Sequence, residues 1–297
     1  MLNFKPLELD DIQKFRPFFL NNTFGICDFT VGGYFMWAEH YGYSCAVKDG
    51  YLFTRSINID KKDETVYPLP LPLNGGDIVS GIRLLFEEIG SAATVNPVPE
   101  AVLPQIQAAF PNCKITGLST WSDYIYSAKE LATLPGHAFA SKRNLVINFE
   151  DNYPDFEFIN LTQANAAEVI AYEEEWARSR GHEFTAMQQY ENARIREILE
   201  NFTSYGFVGG ILKVEDTVCG FTCGEVIGDT LFSHIERADI HRKGSYQVVN
   251  MKFAQKILKE YGVKFINRED DAGSDALRQA KQSYNPVKMG KKFSVSF

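Results

Sequence analysis

Two stretches of the chain concentrate groups that bind charge and move protons. An apolar run over residues 263–266 stops abruptly at Asn267, Arg268, Glu269, Asp270 and Asp271, and Gly273 then opens a short helix that carries Arg278 and Lys281 and stops before Pro286. Strand ends that feed helices are where α/β proteins collect binding groups, which favours a ligand site over a solvated loop. Upstream, a period of two over residues 230–238 sets Phe232, His234 and Glu236 on one face of a strand. A carboxylate and an imidazole there are both groups able to accept a proton. Glu236 is the first candidate for a base and His234 the alternative; the plainer reading is a Glu236 carboxylate paired with Arg268 or Arg278.

These groups need a frame. Strands are expected at 207–214, 217–227 and 230–238, joined by Glu215-Asp216 and Gly228-Asp229, turns too short for crossovers, so the three form an antiparallel meander. His241 to Tyr246 leads into a helix ending at Tyr261, and a terminal strand is expected at 291–297. Before the meander stand a strand at 156–161, a helix capped by Thr162 and ended by Gly181, and a second helix with Ile195, Ile198, Leu199 and Phe202 on one stripe. Glu173, Glu174 and Glu175 are expected mostly on the wet side of the first of these helices.

A linker at 131–142, punctuated by Pro135-Gly136, separates this half from an earlier one with the same order: strand, two helices, three antiparallel strands, helix, strand, helix, strand. In the earlier half Lys48-Asp49-Gly50 marks a hairpin, and Asn74-Gly75-Gly76-Asp77 introduces a helix with Ile78, Ile82, Leu85 and Phe86 on one face. The expected domains are therefore 1–135 and 136–297. Where the second half has its polar run, the first has Asn96-Pro97-Val98-Pro99. The first domain accordingly reads as scaffold or lid, and the chemistry belongs to the second.

Composition narrows the class. Apolar and charged fractions of 45% and 23% over 297 residues are those of an ordinary globular protein, with length for two cores. No stretch is long and apolar enough to span a membrane, and Asp10, Asp11, Lys14 and Arg16 interrupt any signal peptide, so a cytoplasmic location is expected. Five scattered cysteines read as free thiols and five dispersed histidines argue against zinc, so no metal is expected. A net charge of −8 speaks against a broad nucleic-acid surface, although Arg278, Lys281, Lys288, Lys291 and Lys292 make the end of the chain locally basic.

The order of elements resembles the GNAT (acyl-CoA N-acyltransferase) fold in tandem: an α+β (α/β) class in which each domain is a mixed, mostly antiparallel sheet with helices on both faces. That resemblance implies a loop before the helix after the fourth strand whose amides hold the pyrophosphate of acyl-CoA; the matching stretch is His241-Arg242-Lys243-Gly244-Ser245-Tyr246, in which Gly244 fits while His241 and Tyr246 depart from the pattern. More specifically, His234-Ile235-Glu236-Arg237-Ala238-Asp239, Gly244-Ser245-Tyr246-Gln247-Val248-Val249-Asn250, residues 267–273, residues 277–286 and Lys142-Arg143-Asn144 are similar to the phosphatidylglycerol lysyltransferase C-terminal family, relatives of the Fem-type aminoacyl transferases. The resemblance implies transfer of an acyl or aminoacyl group to an amine or hydroxyl, with aminoacyl-tRNA or acyl-CoA as donor substrate and no tightly bound cofactor. Glu236 or His234 would then be the base and Tyr284 the acid. Arg242, Lys243, Gly244, Ser245, Tyr246, Arg278 and Lys281 would receive the anionic donor. Asn250, Asn267, Arg268 and Glu269 would orient substrate or lock the halves together. The rival is a non-catalytic protein that binds an anionic ligand on the same fold.

Overall fold

Turn and cap chemistry explain the first elements. The chain opens with β1 (Lys5–Pro6), α1 (Ile12–Leu20), α2 (Val31–Phe35), β2 (Ser44–Lys48) and β3 (Tyr51–Ile57). Asp49 and Gly50, both at positive φ, make the tight turn between β2 and β3, as a hairpin of this twist requires. Pro68, Pro70 and Pro72 limit the next pairings to the two-residue strands β4 (Thr65–Val66) and β5 (Leu71–Pro72). Asp77 then caps α3 (Ile78–Ile89), its carboxylate accepting from the amides of Val79 and Ser80. β6 (Thr94–Pro99), α4 (Leu103–Ala109) and β7 (Lys114–Gly117) come after it. The computed structural model describes residues 2–57, 64–90, 93–180 and 184–297; Gly181, the expected helix stop, lies outside the described residues.

Next come β8 (Asp123–Ser127), α5 (Ala128–Thr133) and α6 (Ala140–Asn152), so the expected linker is helical at both ends and irregular over 134–139. β9 (Glu157–Asn160), α7 (Ala166–Arg180), α8 (Ala186–Glu200) and α9 (Phe202–Tyr205) precede the meander β10 (Val208–Val214), β11 (Thr217–Ile227) and β12 (Thr230–Ala238). α10 (Ser245–Tyr261), β13 (Phe265–Asn267), α11 (Asp275–Gln282), β14 (Lys288–Gly290) and β15 (Lys292–Ser296) complete the chain. The class is the expected α+β one, with antiparallel pairings predominating.

The chain forms two units, each discontinuous in sequence. The first comprises Met1–Asp123, Asp270–Leu277 and Met289–Phe297, the second Tyr124–Glu269 and Arg278–Lys288, whereas the sequence reading divides the chain after residue 135. The last strand in chain order, β15, inserts between β6 and β7 in the first unit. The strand that precedes the second half, β8, instead lies between β13 and β14 in the seven-stranded sheet β14-β8-β13-β12-β11-β10-β9. In that sheet β13 runs parallel to β12, which brings residues 267–269 to the end of the sheet where the β12 side chains stand.

The meander departs from strict alternation once. Gly224 pairs with Ser233 but Cys223 pairs with Ile235, so His234 is the extra residue of a β-bulge. A Cβ on Gly224 would stand 1.9 Å from the Phe232 carbonyl oxygen, which is why the bulge requires glycine there. Since Phe232 pairs with Glu225 and Glu236 with Thr222, Phe232 and Glu236 lie on opposite faces, not on the one face expected from an unbroken period of two. Beyond the bulge, Glu236 faces α10 and its neighbour Arg237 faces α7 and α8.

Candidate active site

The Glu236 face gathers four of the expected residues, Glu236, Asn250, Arg268 and Tyr284. Arg268 Nη2 donates to Glu236 Oε1 at 2.7 Å, and Asn250 Nδ2, from α10, donates to Glu236 Oε2 at 3.2 Å. The guanidinium lies over two rings, its centre 5.0 Å from the Tyr284 centroid and 5.7 Å from that of Tyr126. Lys142 from α6 also lies over the Tyr284 ring, 4.6 Å from its centroid. Burial pushes the Tyr284 hydroxyl up to about 12, with Arg268 opposing and Gln247 as its hydrogen-bond partner. The pairing of Glu236 with Arg268, the plainer expectation, is thus present, and together with Asn250 it engages both carboxylate oxygens. Two polar atoms remain unspent: Arg268 Nη1, a donor, and Asn250 Oδ1, an acceptor, are buried without a hydrogen-bond partner among the described residues.

The loop that delivers Arg268 is held from several sides. Arg268 donates its amide to the Tyr124 carbonyl at 3.0 Å, and the Tyr124 amide donates to the Glu269 carbonyl at 3.0 Å. Lys281 is buried, with Nζ donating to the Arg268 carbonyl at 2.5 Å, while Tyr126 donates its hydroxyl to the Lys281 carbonyl at 2.8 Å. Asn267 is wholly buried, and its Oδ1 accepts from the amide of Glu269, whose backbone is left-handed at φ +59. Asn267 and Lys281 therefore position this loop.

His234 stands apart from Glu236, between two carboxylates. Its Nε2 is 3.0 Å from Glu225 Oε1 and its Nδ1 2.7 Å from Glu269 Oε1, with the Phe207 ring beside it at 5.1 Å between centroids. Burial opposes the charge, but the hydrogen bonds to Glu225 and Glu269 outweigh it and raise the imidazolium to about 9. At neutral pH the ring is protonated on both nitrogens and has no lone pair to act as a base. Because the folded value lies above the unfolded 6.5, the stabilisation is complete below 6.5 and is lost as pH rises through about 9. Urea unfolding at pH 6 and pH 10 should differ through this residue by about 3 kcal/mol, the wild type being weaker at pH 10, and His234→Gln should flatten that difference.

In the loop expected to cradle a pyrophosphate, the Ser245 amide is taken up by the chain itself. Gly244, at φ +98, caps α10, and a Cβ there would stand 2.2 Å from the Leu145 carbonyl oxygen, so the residue is fixed by backbone conformation and by the close approach of α6. Ser245 is buried, its amide donating to the Arg242 carbonyl at 3.0 Å and its hydroxyl to the Asp239 carbonyl at 2.7 Å. Arg242 pairs with Asp239 at 3.4 Å and packs on the Tyr153 ring. Lys243 is exposed, and Tyr246 and Arg278 are half-buried.

Sequence reasoning missed a charged cluster in the first unit. Lys292 Nζ, 2% exposed on its side chain, lies 2.5 Å from Asp28 Oδ2, 2.7 Å from Asp123 Oδ1 and 3.5 Å from Cys27 Sγ. Donor atoms of Cys27, Asp28 and Asp123 fall within 4.8 Å of one another, a set that suits a divalent cation, but here the Lys292 ammonium supplies the positive charge. Burial works against that charge; Asp123 and Asp28 outweigh it and raise Lys292 well above its usual range. The basic end read from the sequence is correspondingly reduced, because Lys281 and Lys292 are both buried and engaged.

Comparison with known proteins points one way. A family model described as "Phosphatidylglycerol lysyltransferase, C-terminal" matches residues 23–296. A crystal structure of a conserved protein of unknown function from Bacteroides thetaiotaomicron VPI-5482 is 29% identical, with a TM-score of 0.89 and 100% of each chain covered. The structure of L-PGS from Bacillus licheniformis is 12% identical, with a TM-score of 0.59 over 86% of this chain and 83% of that one. A C-terminal domain assigned to a lysylphosphatidylglycerol synthetase from Agrobacterium fabrum is also 12% identical, with a TM-score of 0.62 over 88% and 86%. The last two speak to fold alone. A search of the curated proteins found no match. No helix among the described residues is long and apolar enough to cross a membrane.

Proposed function

The chain belongs to the phosphatidylglycerol lysyltransferase C-terminal family, and on that footing we propose that it transfers an aminoacyl group from an activated ester, the 3′ end of a charged tRNA, to an amine or hydroxyl acceptor. The observation that carries this reading is the pair of unspent buried atoms held by Glu236, Arg268 Nη1 and Asn250 Oδ1. An aminoacyl ester offers a match to each: a carbonyl oxygen that gains negative charge as the acceptor attacks, and an ammonium beside it. The guanidinium N–H serves the first and the amide oxygen the second. A plain acyl thioester would use the donor and leave Asn250 Oδ1 buried and unpaired. At the N-terminus of α10 the Ser245 amide is bonded to the Arg242 carbonyl, which leaves one donor fewer for the pyrophosphate of acyl-CoA and supports the same choice.

In the transfer step the acceptor's lone pair adds to the carbonyl carbon, and the oxyanion is stabilised by Arg268. The ester C–O bond then breaks, and the departing oxygen takes the proton of Tyr284, whose hydroxyl at about 12 is a fit donor to an alkoxide. The Tyr284 phenolate recovers a proton from the acceptor, so the step is balanced without a separate base. Glu236, with both oxygens engaged, serves to aim Arg268 and Asn250. A hydrolysis-resistant 3′-aminoacylamido-adenosine should raise the melting temperature of the wild type, whereas its N-acetylated form should not, and Asn250→Leu should erase the difference. Equal stabilisation by both forms would remove the aminoacyl assignment.

A further inference from the structure

On the opposite face of β12, helices α7 and α8 border a cavity of about 110 Å³, lined by Ile170, Glu173, Glu174, Ala177, Asn192 and Arg196 among others. Of the three glutamates expected mostly on the wet side of their helix, Glu174 and Glu175 are exposed and Glu173 is 3% exposed. Neither Glu173 carboxylate oxygen has a hydrogen-bond partner among the described residues. Its ion-pair contact, Arg237 Nε at 3.5 Å, lacks the geometry of a hydrogen bond, and that Nε is likewise buried without a hydrogen-bond partner among the described residues. That arginine is also committed elsewhere, to Glu191 at 3.2 Å and to the Trp176 ring at 4.7 Å. Arg196, on the cavity wall, is held by Glu174 and by Glu200 at 2.9 Å. Four carboxylates thus share two guanidiniums, and Glu173 is the buried one among them.

A buried carboxylate with open lone pairs on a cavity wall calls for a cation that brings its own N–H donors. A divalent metal would need more oxygen ligands than Glu173 and Asn192 supply at this wall, whereas Ile170 and Ala177 offer apolar surface for a carbon chain. We propose that the α7–α8 cavity is a binding site for a small primary alkylammonium, with its –NH₃⁺ on Glu173 and its carbon chain against Ile170 and Ala177. The site is independent of the transfer reading, since it uses Arg237 and the helices on its side rather than Glu236. Burial pushes the Glu173 carboxyl up to about 7, with Arg237 opposing and Glu191 reinforcing. The other charged groups at the cavity, Glu174 and Arg196, are paired to each other. The counter-charge is therefore present above about pH 7 and lost below it, and cation binding strengthens as pH rises.

Titration calorimetry of the full chain with n-propylammonium and n-propanol tests this. The ammonium should bind at pH 8 and about tenfold more weakly at pH 6, the ratio expected for a carboxyl titrating near 7, and propanol should not bind. Glu173→Gln should lose about tenfold in affinity at pH 8 and lose the pH dependence. Equal binding of alcohol and ammonium, wild-type affinity in Glu173→Gln, or no heat of binding at tens of millimolar would each overturn the proposal. The pH dependence of the wild type provides a test that does not rely on the variant folding.

Discussion

Replacing Arg268 with Lys should slow aminoacyl transfer about a hundredfold, the usual cost of losing one preorganised donor to an oxyanion, while the melting temperature stays within a few degrees of wild type. The separation of the two effects comes from the geometry. An ammonium preserves the charge opposite Glu236, whose carboxylate is 2.7 Å from Nη2, but it cannot also present the second nitrogen that is buried and unspent. Arg268→Ala should lose both, because Glu236 would remain a largely buried carboxylate with Asn250 as its surviving partner. Single-turnover transfer rates set beside thermal unfolding of the two variants distinguish a role in the reaction from a role in folding. Wild-type rates in Arg268→Lys would mean that the second nitrogen contributes nothing to transfer.

The largest loss of stability is expected at Lys292. Lys292→Met removes the ammonium from between Asp28 and Asp123 and leaves the buried Asp123 carboxylate beside the half-buried Asp28 one, at a cost of about 3 kcal/mol. For a chain of this size that corresponds to a melting temperature lower by roughly 10 °C. Burial already raises Asp28 above the usual carboxylate range even with Lys292 present, so the variant should regain stability at acid pH, where protonation relieves the repulsion. Differential scanning calorimetry at pH 7 and pH 5 measures both effects. A melting temperature unchanged at pH 7 would show that the cluster is tolerated without its cation.

Local signals in the chain were readable wherever one residue type does one job. The Asp49-Gly50 turn, the Asp77 cap and the short turns of the meander each arise from backbone chemistry confined to a few residues. The polar run after β13 was likewise visible, and Arg268, Glu236, Asn250 and Tyr284 do converge. The features that escaped depend on pairings distant in sequence. Nothing in the terminal alternation at Lys292–Ser296 tells that it pairs with Thr94–Pro99 and Lys114–Gly117, and the Lys292 cluster exists only because it does. One inserted residue at His234 reverses the faces of β12, and a period of two carries no mark of it beyond Gly224 opposite. Helix α6 buries only Val146 and Phe149, too narrow a stripe to stand out among its polar residues. Three adjacent glutamates on a helix read as mostly solvated, which Glu174 and Glu175 are, but which of the three turns inward depends on the packing of α7 against α8 and β12.

The most direct measurement of the central claim is a side-by-side thermal-shift titration of the wild type with charged tRNA, the same tRNA uncharged, and acetyl-CoA. Binding at Arg268 and Asn250 predicts that charged tRNA raises the melting temperature more than uncharged tRNA, that acetyl-CoA leaves it unchanged, and that the difference between the two tRNAs disappears in Asn250→Leu. Stabilisation by acetyl-CoA with no distinction between charged and uncharged tRNA would contradict the account and return the donor assignment to an acyl thioester.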